Sequence, residues 1–162
     1  MVRILPFERR HGAGVAGLIL PIQQAEFAIP VTLADQPDLL DIPGFYQRGK
    51  GQFWVALDEE SGSVVGTIAL LDIDNDDGAL RKMFVAAGHR GAAHGIAQRL
   101  LDTLLAHARA GGLRRLYLGT TASFLAAHRF YEKQDFEQID ASALPAAFPV
   151  MKVDTRFYAR TL

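Results

Sequence analysis

The sequence predicts an α/β (α+β) fold, a mixed sheet with helices on its faces. Three observations predict it. β-Branched and aromatic runs follow one another between polar turns, the apolar period switches to helical at Ile96, and strand-like runs return on either side of one more helical segment.

Taken in order, "VRILPF" at residues 2–7 is a first strand. "GVAGLILPIQQAEFAI" is apolar at helical spacing, with Pro21 placed to kink or divide it. "DQPDLLDIPGFYQRG" puts Asp35 and Pro37 at a helix start and Leu39, Leu40, Ile42, Phe45 and Tyr46 on one apolar face, so a second short helix is expected. "QFWVAL" and "SVVGTIALLDI" form a hairpin across "DEESGS", and "GALRKMFVAA" follows the polar turn "DNDDG", giving three successive antiparallel strands. Ile96, Leu100, Leu101, Leu104, Leu105 and Ala108 then share one helical face that ends at Gly111 and Gly112. After the strand "RRLYLGT" comes a helix with Ser123 as its expected N-cap and Ala127, Phe130 and Tyr131 facing inward. "DFEQID" and "VMKVDTRFYARTL" are the last two strands, separated by the proline-bounded "LPAAFP".

Composition narrows the function classes. A chain of 162 residues, 49% of them hydrophobic, suits a single domain over residues 1–162 with a real core. The formal charge is −1 and the basic residues are scattered, so no nucleic-acid partner is expected. Without cysteine there are no disulfides, zinc–thiolate sites or cysteine nucleophiles. The N-terminus reaches charged residues too soon for a signal peptide, and no run approaches the ~18 apolar residues of a membrane span. A soluble, cytoplasmic protein with no membrane partner is expected. His89, His94, His107 and His128 lack metal-ligand spacing, so no metal is assigned and surface or loop positions are expected for them.

The most informative stretch is "HRGAAHGIAQRLL", which joins the strand "LRKMFV" to the helix at Ile96. Glycines admit close backbone approach, and a helix start offers unpaired N–H groups at its positive end. An anion, a phosphate above all, is the guest such a loop suits. A dinucleotide-binding Rossmann reading fails, because no Gly-x-Gly-x-x-Gly stands at a first βα turn.

From Leu80 to Phe136 the sequence resembles the GCN5-related N-acetyltransferase (GNAT) family in three motifs in the right order: "LRKMFV", "RGAAHGIAQRLL" and "LYLGTT…AAHRFYEKQDF". The resemblance implies a mostly antiparallel central sheet with helices on both faces and a splayed fourth and fifth strand. It also implies an acyltransferase that moves the acetyl group of acetyl-coenzyme A directly to a primary amine of a small molecule or peptide. A catalytically inactive acetyl-coenzyme A binder or sensor is the alternative, and a homodimer is allowed.

On the same resemblance, Arg90, Gly91, Ala92, Ala93, His94, Gly95, Ile96 and Ala97 form the pyrophosphate loop. The backbones of Met83, Phe84 and Val85 pair with pantetheine like an added strand. Tyr131 is the acid for the departing thiolate, Asp135 stands at the family's usual glycine, and Phe124 replaces a frequent asparagine. The family's candidate base position holds Ala79, which leaves Asp72, Asp74 and Asp77 to act through water. Around the acetyl end, Glu26, Asp35, Asp38 and Asp41 are acids that would draw a cationic amine, and Arg81 is a cation that would hold a substrate carboxylate.

Overall fold

A computed structural model describes residues 1–162. The strands are β1 (Val2–Pro6), β2 (Gln52–Asp58), β3 (Val64–Asp72), β4 (Asp77–Val85), β5 (Arg115–Thr120), β6 (Glu137–Ile139) and β7 (Arg156–Thr161). The helices are α1 (Gly12–Pro21), α2 (Pro37–Leu40), α3 (Ile42–Phe45), α4 (Ile96–Ala110) and α5 (Leu125–Lys133). The strands make one sheet in the order β1-β2-β3-β4-β5-β7-β6. Only the β4–β5 pair is parallel. This is the mixed, mostly antiparallel sheet that the succession of hairpins predicts.

Strand alternation sends side chains to both faces, and each face is covered by helix. Trp54, Ala56, Ile68 and Leu70 pack with the apolar stripe of α4, whose buried residues are Ile96, Leu100, Leu101, Leu104, Leu105 and Ala108. Burying each of the larger ones contributes roughly 1.5–3 kcal/mol. On the opposite face Phe53, Val55 and Ala69 meet Val15 and Ile19 of α1 and Ile42 of α3. No helix is long and apolar enough to cross a membrane.

Five expectations are corrected. The stretch from Asp35 to Tyr46 forms two single turns rather than one helix, because Asp41 leaves helical geometry to cap α3, its side chain accepting from the Gly44 amide. The single face expected there therefore breaks: Leu40 is exposed while Asp38 is buried. Ser123 does not cap α5; the N-cap is Phe124, without a side-chain cap bond. The last strand starts at Arg156, because Asp154 accepts from the Met151 amide and closes a turn where alternation suggested strand.

His128 is buried rather than on the surface. Its Nδ1 lies 3.1 Å from Arg156 Nη1 and its Nε2 lies 2.8 Å from the Thr121 carbonyl. Since Arg156 only donates, the partners assign the proton to Nε2, and the ring is held neutral. Burial lowers the His128 pKa, as it does that of buried His11. Both folded values lie below the unfolded value near ~6.5, so the unfolded chain takes up protons first as the pH falls. Stability is expected to drop as the pH goes below about 6.5, read as a falling midpoint of urea denaturation. In His128→Gln, which keeps a donor and an acceptor, that drop is expected to shrink. An unchanged pH dependence would show that His128 protonation is not coupled to unfolding.

Candidate active site

The site begins where β4 and β5 part. The two strands pair only at Asp77–Arg115, Gly78–Leu116 and Ala79–Tyr117. Beyond Ala79 their facing edges diverge around a cavity of about 150 Å³, lined by Leu80, Arg81, Lys82, Met83 and Phe84 on one side and Leu118, Gly119 and Thr120 on the other.

A β-bulge steers this divergence. Thr67 is opposite Phe84 and Ala69 is opposite Arg81, so Ile68 faces both Lys82 and Met83. Lys82 takes a left-handed φ of 51°, and its carbonyl accepts from Thr67 Oγ1 at 2.7 Å. Bulges bend the strand and increase its twist. Here the bend swings Lys82 inward and pulls β4 from its parallel neighbour.

Helix α5 and the 144–154 segment close the cavity. Ala127 and Tyr131, one turn apart on α5, line it with Phe124, which packs edge-on against Phe27 at 4.5 Å between centroids. Burial raises the Tyr131 pKa strongly, so its hydroxyl stays protonated at neutral pH. That hydroxyl makes no hydrogen bond within the protein, and it is not among the sealed-off polar atoms, so it opens to the cavity. Thr120 Oγ1 is the one buried side-chain polar atom without a partner.

The strand–loop–helix motif lies at the open end of β4. Gly91 has φ 100° and Gly95 has φ 65°, conformations that a side chain disfavours. The Gly95 turn aims the start of α4 outward. The amides of Gly91, Ala92, Ala93, Ile96, Ala97 and Gln98 donate to nothing in the protein. Ala92, Ala93 and His94 are exposed, while Ile96 is buried in the core and anchors the helix. Arg90 is engaged elsewhere, its Nη1 and Nη2 on Glu26 at 2.5 and 2.8 Å and its Nε on the Val85 carbonyl at 2.8 Å. The hydrogen bonds from Arg90 lower the Glu26 pKa in return.

Several acids fall outside the site. Asp72 accepts from the Lys50 and Asp74 amides, Asp77 opens β4 at the paired end, and none of Asp72, Asp74 and Asp77 lines the cavity. Ala79 is fully buried against Tyr117 and Phe157. Of the acids proposed to draw an amine, Asp35 lines the cavity, Asp41 caps α3, and Asp38 is buried under Tyr46, whose hydroxyl donates to it at 2.6 Å. No cluster of three or more His, Asp or Glu is arranged for a metal ion.

Two charged residues of the cavity escaped sequence reasoning, Lys82 and Asp154. Lys82 Nζ lies 2.5 Å from Gln36 Oε1 and 3.6 Å from Asp38, and burial lowers its pKa. Lys82 was masked by its apolar strand, although a lysine within a central strand is itself a signal of a partner or a cavity. Asp154 was hidden by the misplaced start of β7. Arg81 does line the cavity.

The arrangement fits an extended ligand with an anionic end: unpaired strand edges, a free phenol at Tyr131 and outward amides at the start of α4. A family model described as "Acetyltransferase (GNAT) family" matches residues 18–136. The crystal structure of an acetyltransferase of the GNAT family from Staphylococcus aureus Mu50 is 37% identical, with a TM-score of 0.95 over 99% of both chains. That of an acetyltransferase from Streptococcus agalactiae is 34% identical, with a TM-score of 0.93 over 99% of this chain and 98% of that one. The N-acetylaspartate synthetase of Xenopus tropicalis is 38% identical over 104 residues, which is 63% of this chain and 37% of that protein. The match thus spans little more than a third of that relative's length.

Thr120→Val keeps the shape and removes the partnerless hydroxyl. Without ligand it is expected to raise the thermal midpoint, by up to about 1 kcal/mol in stability, since an unpaired buried hydroxyl carries a desolvation cost. A loss of stability in calorimetry would mean that the hydroxyl is bonded in the ligand-free protein.

Proposed function

The chain belongs to the acetyltransferase (GNAT) family, and on that premise we propose that it transfers the acetyl group of acetyl-coenzyme A directly to the primary amine of a small molecule or peptide. The observation that carries this reading is the parting of β4 from β5 beneath a tyrosine hydroxyl that has no partner in the protein. Acetyl-coenzyme A, when bound, supplies a thioester that an amine can attack.

The chain's own groups divide the remaining work. The free amides between Gly91 and Gln98, at the positive end of the long helix α4, would hold the pyrophosphate; backbone donors serve there while the Arg90 guanidinium stays on Glu26. The free edge of β4 at Met83, Phe84 and Val85 would bond the pantetheine amides. Tyr131 would protonate the leaving sulfur, since its hydroxyl lines the cavity without a protein partner and is protonated at neutral pH. With no cysteine in the chain, no acetyl-cysteine intermediate can form, which supports direct transfer. The relatives named N-acetylaspartate synthetase support an amino acid as the acceptor.

A thiol-release assay with acetyl-coenzyme A against amines, amino acids and peptides tests the reading. Turnover with an amine is expected; coenzyme A binding without turnover on any acceptor would instead favour the inactive binder, which the alanine at position 79 would explain. Tyr131→Phe keeps the packing and is expected to lower kcat ~10²–10⁴-fold with little change in the KM for acetyl-coenzyme A. Near-normal kcat with chemistry rate-limiting would make Tyr131 a packing residue.

Gly95→Val is expected to weaken coenzyme A binding in calorimetry while leaving the affinity for pantetheine unchanged. A Cβ at Gly95 would meet only the Ala92 carbonyl, at an ordinary 4.0 Å, so the effect comes from the left-handed backbone that valine cannot hold. Equal affinity of the wild-type protein for both ligands would remove the phosphate role of the loop.

A further inference from the structure

The cavity is lined by two cations, Arg81 and Lys82, and two carboxylates, Asp35, which accepts from the Thr32 amide, and Asp154; Arg81 and Asp154 together name an acceptor. Lys82 is neutralised within the protein: Asp38 lies 3.6 Å from its ammonium, and Gln36 Oε1 accepts from it at 2.5 Å. Arg81 has no such counter-ion. Its guanidinium lies over the rings of Phe45 at 5.6 Å and Tyr46 at 5.9 Å from the centroids, and its one hydrogen-bond partner is the weak acceptor Met151 Sδ at 3.3 Å. These cation–π contacts hold the guanidinium against the aromatic rings and leave its remaining donors for an anion such as a carboxylate.

The carboxylate of this pair is Asp154. It packs on β5 at a glycine, where a Cβ on Gly119 would lie 2.6 Å from Asp154 Oδ2, so only glycine lets the acid into the cleft. Oδ2 accepts from the Met151 amide at 2.9 Å, while Oδ1 has no protein partner and is not sealed from the cavity. Burial raises the Asp154 pKa against the pull of that amide and of Arg81 and Lys82, which makes it a better proton acceptor than an exposed aspartate.

Resting on the acetyltransferase reading, we propose that the acceptor is a free amino acid, its carboxylate held by Arg81 and its ammonium by Asp154, which takes the proton that frees the nucleophile. Asp154 removes one proton from the ammonium. The nitrogen lone pair forms the C–N bond to the acetyl carbonyl carbon, and the C–S bond breaks with its electron pair going to sulfur. The nitrogen sheds its surplus proton to water, sulfur takes the Tyr131 proton, and Tyr131 is reprotonated from water. Once Asp154 returns its proton to solvent, one proton is released per turnover.

The test compares alanine, glutamate and aspartate with alaninamide and ethylamine as acceptors, in wild type, Arg81→Gln, Arg81→Lys and Asp154→Asn. The wild type is expected to favour the amino acids over the amide and the amine by at least ~10-fold in kcat/KM. Arg81→Gln is expected to raise the amino-acid KM ~10–100-fold with kcat within a few-fold, to erase the preference over alaninamide, and to leave the KM for acetyl-coenzyme A unchanged. Arg81→Lys should recover part of the loss. Asp154→Asn keeps an acceptor for the Met151 amide and is expected to lower kcat ~10²-fold or more, so the two variants separate in KM and kcat. Turnover without preference for the carboxylate, or an Arg81→Gln loss equal for alanine and alaninamide, overturns this assignment and leaves the acetyltransferase reading intact. Coenzyme A binding with no turnover of any acceptor overturns both. Thermal midpoints within a few degrees of wild type keep the variants comparable.

Discussion

The structure depends on one unfinished strand pairing. β4 and β5 stand side by side in the middle of the sheet, yet they bond over only three residue pairs and leave Arg81 to Val85 half-buried along the gap. Buried N–H and C=O groups without partners are costly, so a sheet interior ordinarily zips to its end. The bulge at Lys82–Met83 prevents this, and the Thr67 hydroxyl locks it by bonding the Lys82 carbonyl. The opening is therefore built into the strand itself, and a ligand that lies along the strand edges satisfies what the fold leaves open.

Around that opening the molecule carries polar groups that a core would exclude. Lys82, Asp38, Tyr46, Gln36 and Gln23 form one connected, buried set, with Gln23 and Gln36 bonding each other reciprocally at 2.9 and 3.1 Å. A buried ion pair gives little net stability, because desolvation offsets attraction. Its consequence here is positional. It ties β4 to the α1–α2 connection and α3, and so fixes the wall of the cavity opposite α5. Arg90 and Glu26 make a comparable link at the open end, holding the turn after α1 against the loop before α4.

Most of the fold was legible because its elements obey one period each. The α4 stripe expected from spacing is the set of residues buried in the structure, and Asp135 takes a left-handed φ of 64°, as its place at a glycine position implied. Legibility failed where a side chain overrides the period. Asp41 breaks the second helix by capping the next turn, and Asp154 breaks the last strand in the same way. His128 is polar in type but meets Thr121 and Arg156 inside, contacts between segments that no local pattern encodes. The loop and Tyr131 stood out because their chemistry follows chain order, whereas the partners of Lys82 are joined only by the fold.

That division has a physical reason. An anion-binding loop needs consecutive amides, so it is written in consecutive residues, and a helix start displays them together. A pocket for a small acceptor needs groups that converge from several directions, and no single element supplies them. Arg81 comes from β4, its aromatic supports from α3 and the residue after it, and Asp154 from the turn before β7. Each of these segments sits on a rigid strand or is capped by an aspartate of its own. Changes in the capped turns would re-aim the acceptor groups while the strands, the loop and Tyr131 keep their places, so acceptor choice can vary on this scaffold without rebuilding the cleft.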